Sequence, residues 1–234
     1  MIGELVTDTV RAAETANADG IGKAAQLLLS CLHQDGLVYT AGAGHSLAAV
    51  AETFYRAGGL ACVYPLYHPD LLPLHGARAS TGAERRGGLA AEVLSAAAPG
   101  PADVLVVFSN SGANPYPVEL ATAARVAGAP VIAVTSRACV AAAPPRAAST
   151  LPEQADVVLD TGVPPGDASF PREAPRTAAL STVLNAFLWN AVLAKLLTIA
   201  DVEVPLWRSA NVAGGDEANA ALLARYLPRV PALR

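Results

Sequence analysis

The segment best suited to do chemistry is a short polar run, Ser109-Asn110-Ser111-Gly112-Ala113-Asn114, between an apolar run and a predicted helix. The first turn of a helix offers unpaired backbone N–H groups and the positive end of a dipole. The hydroxyl and amide side chains of the segment add neutral donors. Together these groups predict a phosphate cradle that needs no lysine. An ordinary capped turn is the alternative, and the accumulation of donors favours the cradle.

A second segment, Gly42-Ala43-Gly44-His45-Ser46, follows the first apolar run. A dinucleotide fingerprint would need a third glycine, where this chain has Leu47, and an acid after the next strand, which is absent. The lysine of a P-loop is also missing. We therefore expect a tight turn that presents Ser46 at a helix start, either toward a ligand or only as a cap. His45 either touches the ligand or is a turn histidine held by backbone.

The elements that must position these segments alternate between strands and helices. Such alternation predicts a parallel sheet covered on both faces, a three-layer α/β/α fold. Both polar segments then lie at the carboxyl edge of the sheet, where ligands of such sheets bind. The predicted strands are Leu37–Ala41, Leu60–Tyr64, Val104–Phe108, Val131–Thr135 and Val157–Asp160. The predicted helices cover 2–34 (broken at Asp19-Gly20), a segment ending near Ala57, 84–97, 115–127, 178–200 and 217–226, with loops at 65–83 and 137–155.

Composition bounds the class of protein. The 234 residues suit one domain, with N-terminal helices over 1–36, a core over 37–200 and a tail over 201–234. A net charge of −4 without a basic stripe argues against nucleic-acid binding. Three isolated cysteines and four scattered histidines favour reduced thiols and no metal site. No basic leader precedes an apolar run, so we expect a cytoplasmic protein. The apolar stretch 178–200 contains Lys195 and two asparagines, which favours a buried or interface helix over a membrane span.

Three motifs together carry a family resemblance. Gly42-x-Gly44-x-Ser46, Ser109-Asn110-Ser111-Gly112 and Val131–Ser136 resemble the SIS (sugar isomerase) domain of phosphosugar isomerases and lyases, over roughly residues 35–200. The segments Phe54–Gly59 and Asn211–Glu217 are similar to one bacterial branch, related to phosphoheptose isomerases and N-acetylmuramic acid 6-phosphate etherases.

The resemblance implies a fold and a set of ligands. It implies a flavodoxin-like, five-stranded sheet of order 2-1-3-4-5, and a homodimer or homotetramer whose sites are completed by the neighbouring subunit. Relatives often have threonine where this chain has Asn114, which can still donate. Sugar-responsive regulators of the family carry a DNA-binding domain ahead of this one, for which residues 1–36 are too short. The residues that match the family's sugar-phosphate ligands are Ser46, Ser109, Ser111, and Thr135 or Ser136.

The resemblance also implies a reaction that begins at the sugar C2 proton. Family enzymes remove this proton from the open-chain sugar, which needs a carboxylate or imidazole of matched pKa. Return of the proton to C1 gives isomerisation, and loss of the C3 substituent gives elimination. Glu52 occupies the position of a family catalytic glutamate. Its alternative role is an ion pair with Arg56, four residues on, and it lies about 9 Å along its helix.

Two further catalytic candidates are His75 and Glu84. His75 lies in a long loop, where functional residues concentrate, and its alternative is a surface histidine. Glu84 would pair with Glu52 as two glutamates do in the etherases, or would only start a helix. Phosphoheptose isomerases use a histidine in a late helix, and residues 177–227 contain none, which favours elimination.

The sequence thus predicts an enzyme without cofactor, acting on an amino-sugar 6-phosphate, N-acetylglucosamine 6-phosphate being the first candidate. An aldose–ketose isomerase and a non-catalytic sugar-phosphate sensor are the alternatives.

Overall fold

The computed structural model describes residues 1–234 and contains one five-stranded sheet in which every strand pair is parallel. The strands are β1 (Val38–Gly42), β2 (Val63–Pro65), β3 (Val104–Phe108), β4 (Val131–Thr135) and β5 (Val157–Asp160). Their order is β2-β1-β3-β4-β5, and helices cover both faces. The fold implied by the resemblance is therefore confirmed.

Nine helices surround this sheet. Their bounds are α1 (Ile2–Ala16), α2 (Ala18–His33), α3 (Leu47–Thr53), α4 (Ala77–Glu84), α5 (Leu89–Leu94), α6 (Pro115–Val126), α7 (Arg137–Ala142), α8 (Ser181–Ile199) and α9 (Gly215–Tyr226). Short 3-10 turns lie at Gly44–Ser46, Pro69–Leu71, Pro73–His75, Leu151–Gln154 and Pro231–Leu233.

The sheet is the centre of the buried core. Every residue of β1, β3 and β4 is buried, as is typical of parallel strands with helices on both faces. One cluster of 49 buried apolar residues continues from α2 through the sheet to α8 and Tyr226 of α9. The core therefore fixes the carboxyl ends of β1 and β3, from which the two polar segments depart.

The first helical region breaks at Asn17, and the predicted break at Asp19-Gly20 is wrong. The Asn17 side chain is buried and donates to the Ala13 carbonyl at 2.7 Å and to the Asp160 carbonyl at 2.8 Å. Its oxygen accepts the Asp160 amide at 2.7 Å. Asn17 thus substitutes for a neighbouring strand beside β5, which gives the break a structural role that local glycine content does not reveal.

The region around Glu84 also differs from the prediction. The expected loop over 65–83 contains α4, so Glu84 ends a helix and does not start one. Gly88 has a φ of +89°, which interrupts the predicted helix 84–97 before α5. Helix α4 escaped prediction because it is polar and short, with only Ser80 and Ala83 buried. The helix after the first glycine turn ends at Thr53, short of Ala57.

Helix α8 is the one helix long and apolar enough to cross a membrane, with 19 residues and a mean hydropathy of 1.5. It packs against α1, α2 and α3, and its buried side chains include Leu184, Leu188 and Trp189. A core helix of a globular fold has the same properties.

Candidate functional site

A cavity of about 420 Å³ lies where the two polar segments meet, at the carboxyl ends of β1 and β3. We call it the loop cavity. It brings together seven of the predicted site residues, namely Gly44, His45, Ser46, Glu84, Ser109, Asn110 and Ser111. Its other residues include Ser80, Thr81, Asp167 and Ser181.

The loop after β3 is shaped by Gly112. The Gly112 amide donates to the Ser109 hydroxyl oxygen at 3.3 Å, which closes a tight turn. Gly112 has a φ of +52°, and a Cβ there would lie 2.9 Å from Cγ2 of Val140 and 3.1 Å from Oγ1 of Thr135. Glycine alone fits this backbone. The turn leaves the amides of Ser111 and Ala113 without a partner in the chain, just before α6 begins.

Two of the three unengaged hydroxyl groups of the loop cavity belong to Ser111 and Ser46, and the third belongs to Ser181. Ser111 is half-buried and its side chain makes no hydrogen bond within the chain. Ser46 precedes α3 at the capping position, yet its side chain makes no capping bond. Both hydroxyls therefore remain available to a ligand at the starts of α6 and α3.

Other predicted phosphate ligands make hydrogen bonds inside the protein. Thr135 and Ser136 are fully buried and do not line the loop cavity. Thr135 donates to the Asn110 carbonyl at 3.2 Å, and Ser136 donates to the Val163 carbonyl at 2.7 Å. Ser136 also accepts the Cys139 amide at 3.1 Å, as the cap of α7. Both hydroxyl groups thus make hydrogen bonds within the protein, and Thr135 holds the loop after β3. A ligand role for these two residues stays a prediction.

Asn110 and Asn114 are likewise engaged through their side-chain oxygens. Oδ1 of Asn110 accepts the Thr161 hydroxyl at 3.3 Å, although Asn110 lines the loop cavity. Oδ1 of Asn114 accepts Nη1 of Arg146 at 3.2 Å, and Asn114 lies outside the lining. The amide nitrogens of both side chains keep their donors.

Of the three catalytic candidates, only Glu84 reaches the loop cavity. Its half-buried carboxylate makes no ion pair or hydrogen bond within the chain. Glu52 is paired with Arg56 and accepts from Nδ2 of Asn190 at 3.4 Å, outside the lining. His75 is exposed, with Nδ1 3.1 Å from the Pro69 carbonyl oxygen.

Sequence reasoning missed Asp167 and Ser181, which also line the loop cavity. Oδ1 of Asp167 accepts the amides of Leu180 and Ser181 at 3.1 and 3.0 Å, and so caps the start of α8. An aspartate normally caps a helix that begins directly after it. Asp167 lies 13 positions before Leu180, so no local pattern marked it.

The charge of the loop cavity is unusual for an anion site. Its lining contains no lysine or arginine, and its ionisable side chains are His45, Glu84 and Asp167. Asp167 is held by the α8 amides, whereas Glu84 is free. An anion bound here must rely on amides, hydroxyls and helix dipoles. A free carboxylate beside such a cradle has the chemistry of a general base.

Comparison with known proteins identifies a family and similar sequences. The SIS domain family model matches residues 4–136. A UPF0309 protein from Streptomyces coelicolor is 40% identical over 233 residues, covering 95% of this chain and 92% of that protein. A UPF0309 protein from Brucella anthropi is 38% identical over 220 residues, covering 92% of this chain and 90% of the other.

A solved structure with a similar fold is the phosphoheptose isomerase from Neisseria gonorrhoeae. The TM-score is 0.55 at 22% sequence identity, covering 84% of this chain and 95% of that one. At this identity the likeness concerns the fold. The family match ends at residue 136, so Asp167 and Ser181 lie outside it.

Proposed function

The chain belongs to the SIS domain family, and from that premise we propose that it is an enzyme that binds a sugar 6-phosphate in the loop cavity and removes the sugar's C2 proton. One observation carries the proposal. The loop cavity combines unengaged donors at the starts of two helices with one unpaired carboxylate, Glu84.

The phosphate would be held by neutral groups. The hydroxyls of Ser46 and Ser111 and the amides after β3 donate to its oxygens, and the dipoles of α3 and α6 add to the attraction. Hydrogen bonds to a charged acceptor are roughly twice as strong as those between neutral groups. Several of them replace the lysine that other phosphate sites use.

We assign the substrate as an amino-sugar 6-phosphate, with N-acetylglucosamine 6-phosphate as the first candidate. The volume of about 420 Å³ lies near the lower end of the range of about 300–1,000 Å³ that is usual for ligand pockets, which suits one monosaccharide phosphate. The similarity of the sequence motifs to etherases that act on an amino-sugar 6-phosphate supports the same choice.

The proposed reaction is an elimination from the open-chain aldehyde. The Glu84 carboxylate takes the C2 proton, and the electrons of that bond form the C1–C2 enolate. They then form a C2–C3 double bond as the C3–O bond breaks, and protonated His45 gives a proton to the departing oxygen. The products are water and an unsaturated aldehyde. Proton transfer from Glu84 to His45, directly or through water, resets both groups.

Aldose–ketose isomerisation is the second candidate. Glu84 is the only carboxylate of the loop cavity without a partner. In isomerisation this single base moves the C2 proton to C1 while the proton of the C2 hydroxyl passes to the C1 oxygen, so the substrate of this reaction carries a hydroxyl at C2. The fold likeness to a phosphoheptose isomerase is compatible with this alternative.

Incubation with N-acetylglucosamine 6-phosphate in D₂O, followed by proton NMR, tests the proposal. We expect loss of the C2 proton signal and a new vinylic C3 signal. Exchange at C2 with a ketose product from a hexose 6-phosphate, whose C2 hydroxyl becomes the ketone, would select isomerisation. Binding by calorimetry without exchange or product, across a panel of hexose and hexosamine 6-phosphates, would select a sensor. Absence of binding would reject the phosphate cradle itself.

A further inference from the structure

A second cavity, of about 840 Å³, lies against the outer side of α6. We call it the arginine cavity. The segment around Arg85 forms one wall, the segment Arg146–Ser149 forms another, and Val118 and Thr122 of α6 contribute a third. It is twice the volume of the loop cavity and shares no lining residue with it. The proposed sugar chemistry makes no use of it.

The arginine cavity is locally positive in a chain whose net charge is −4. Arg85 makes no ion pair or side-chain hydrogen bond, and Arg146 makes one hydrogen bond, to the neutral Asn114 oxygen at 3.2 Å. Glu119 is the only carboxylate in the lining, and its Oε2 accepts the Gly88 amide at 2.9 Å. Two guanidinium groups therefore line the cavity without a carboxylate partner.

One of these guanidinium groups is held in position. Arg146 is half-buried, and its partner Asn114 is 6% exposed. A guanidinium has five N–H donors, and only one is used here, so the others remain free for a ligand. The Ser149 oxygen accepts Nε2 of Gln154 at 2.9 Å, which leaves its own proton to donate. Binding of a ligand to these donors costs little conformational entropy because the protein already holds the side chains in place.

We propose that the arginine cavity binds an organic phosphate ester, distinct from the substrate. Arginine forms bidentate hydrogen bonds with phosphate oxygens, and two arginines without acidic partners would match a dianion. Ala123, Ala147 and Ala148 provide accessible apolar surface for the organic part of the ligand. The volume lies near the upper end of the usual range for small-molecule sites, and so admits an ester larger than a monosaccharide phosphate.

Amide chemical shifts measured during titration with inorganic phosphate would separate the two cavities. We expect one set of shifts near Ser111 and a second set at Ala147–Ser149. Arg85→Gln should lower the phosphate affinity measured from the second set of shifts about tenfold, which is the effect of losing one hydrogen bond to a charged group. R85Q/R146Q should abolish the second set. Arg85→Gln leaves the contact between Arg146 and Asn114 intact, so it still tests the proposal if the double variant fails to fold. The first set should be unchanged in Arg85→Gln.

The control is R11Q/K195Q, which removes two exposed cations that make no ion pair. It should retain both sets of shifts. Adenosine 5′-monophosphate should bind at Ala147–Ser149 more tightly than inorganic phosphate, and adenosine should not bind there. Shifts confined to the loop cavity, or shifts at Ala147–Ser149 that persist in R85Q/R146Q, would overturn the proposal. This result is independent of sugar turnover, so either proposal can fail alone.

Discussion

Glu84 and Glu52 show how neighbouring groups decide the role of a carboxylate. Glu52 pairs with Arg56, which lies four residues on and beyond the end of α3, and accepts from Asn190, so its charge is satisfied by the protein. Glu84 ends α4 and lines the loop cavity together with the loop after β3, and its carboxylate makes no ion pair or hydrogen bond within the chain. A base must be free to take a proton, and this requirement favours Glu84.

We predict that Glu84→Gln lowers kcat by about 10²–10⁴-fold, the usual contribution of a general base, with little change in sugar-phosphate affinity. Steady-state kinetics and calorimetry measure the two quantities. Glu14→Gln is the matched control, since Glu14 is exposed on α1 and makes no ion pair. Full activity in Glu84→Gln together with an inactive Glu52→Gln would return the catalytic role to Glu52.

The sequence could nominate these residues but could not choose between them. The i,i+4 spacing of Glu52 and Arg56 was visible, and the ion pair that it allows is present. The position of Glu84 depends on α4, a polar helix without apolar periodicity, and on the chain path from 65 to 77. The contribution of Asp167 depends on a contact with α8 across 13 positions. Long-range packing of this kind leaves no local signal.

At the scale of elements, the loop between β3 and α6 depends on one backbone conformation. Gly112 turns the chain at positive φ, and the space around it is closed by Val140 and Thr135. The Ser109 hydroxyl oxygen accepts a hydrogen bond from the Gly112 amide, so the backbone at residue 112 and the start of the loop are held together as one unit. Any side chain at residue 112 must move that unit.

Gly112→Ala should therefore destabilise the protein by about 1–3 kcal/mol through backbone strain and overpacking. For a chain of this length the expected fall in Tm is about 2–12 °C. Gly22→Ala is the contrasting variant, because Gly22 lies within α2 with nothing within 4 Å of an added Cβ. It should raise Tm by about 1–4 °C. Calorimetric scans of both variants check the pair, and an unchanged Tm in Gly112→Ala would contradict the close packing.

Element prediction succeeded where burial alone determines the pattern. Strands β3 and β4 have their predicted bounds because runs buried on both faces are continuously apolar. Strand β5, at the edge of the sheet, also has its predicted bounds, although burial alternates along it. Strand β2 begins at Val63, three residues later than predicted. Leu60 instead forms an isolated antiparallel bridge with Leu206, a partner far along the chain.

At the scale of the whole molecule, α8 has two unlike faces. One face packs on α2 within the core, while the other bears Val183, which is 43% exposed, and Leu197, which is 54% exposed. The stripe on this helical face consists of Val183, half-buried Phe187, Asn190, Ala194 and Leu197, at alternating steps of four and three residues, and it is apolar except at Asn190. Such a stripe is costly to leave in water, and a second copy of the chain would cover it by symmetry.

We accordingly predict that the protein is a homodimer or larger oligomer, and that V183K/L197K reduces the mass measured by light scattering to that of one chain. Burial of these ammonium groups in an apolar interface would oppose association. Val126→Lys is the matched control, because Val126 is 85% exposed at the end of α6 and lies outside the stripe. It should retain the wild-type mass, and a monomeric wild type would reject the prediction.

Asn190 links α8 to Glu52, so a partner docked on the stripe would come close to that carboxylate. If the dissociated variant keeps its fold but loses turnover, the second subunit contributes to the site, whereas full activity in the monomer would mean that one chain is sufficient.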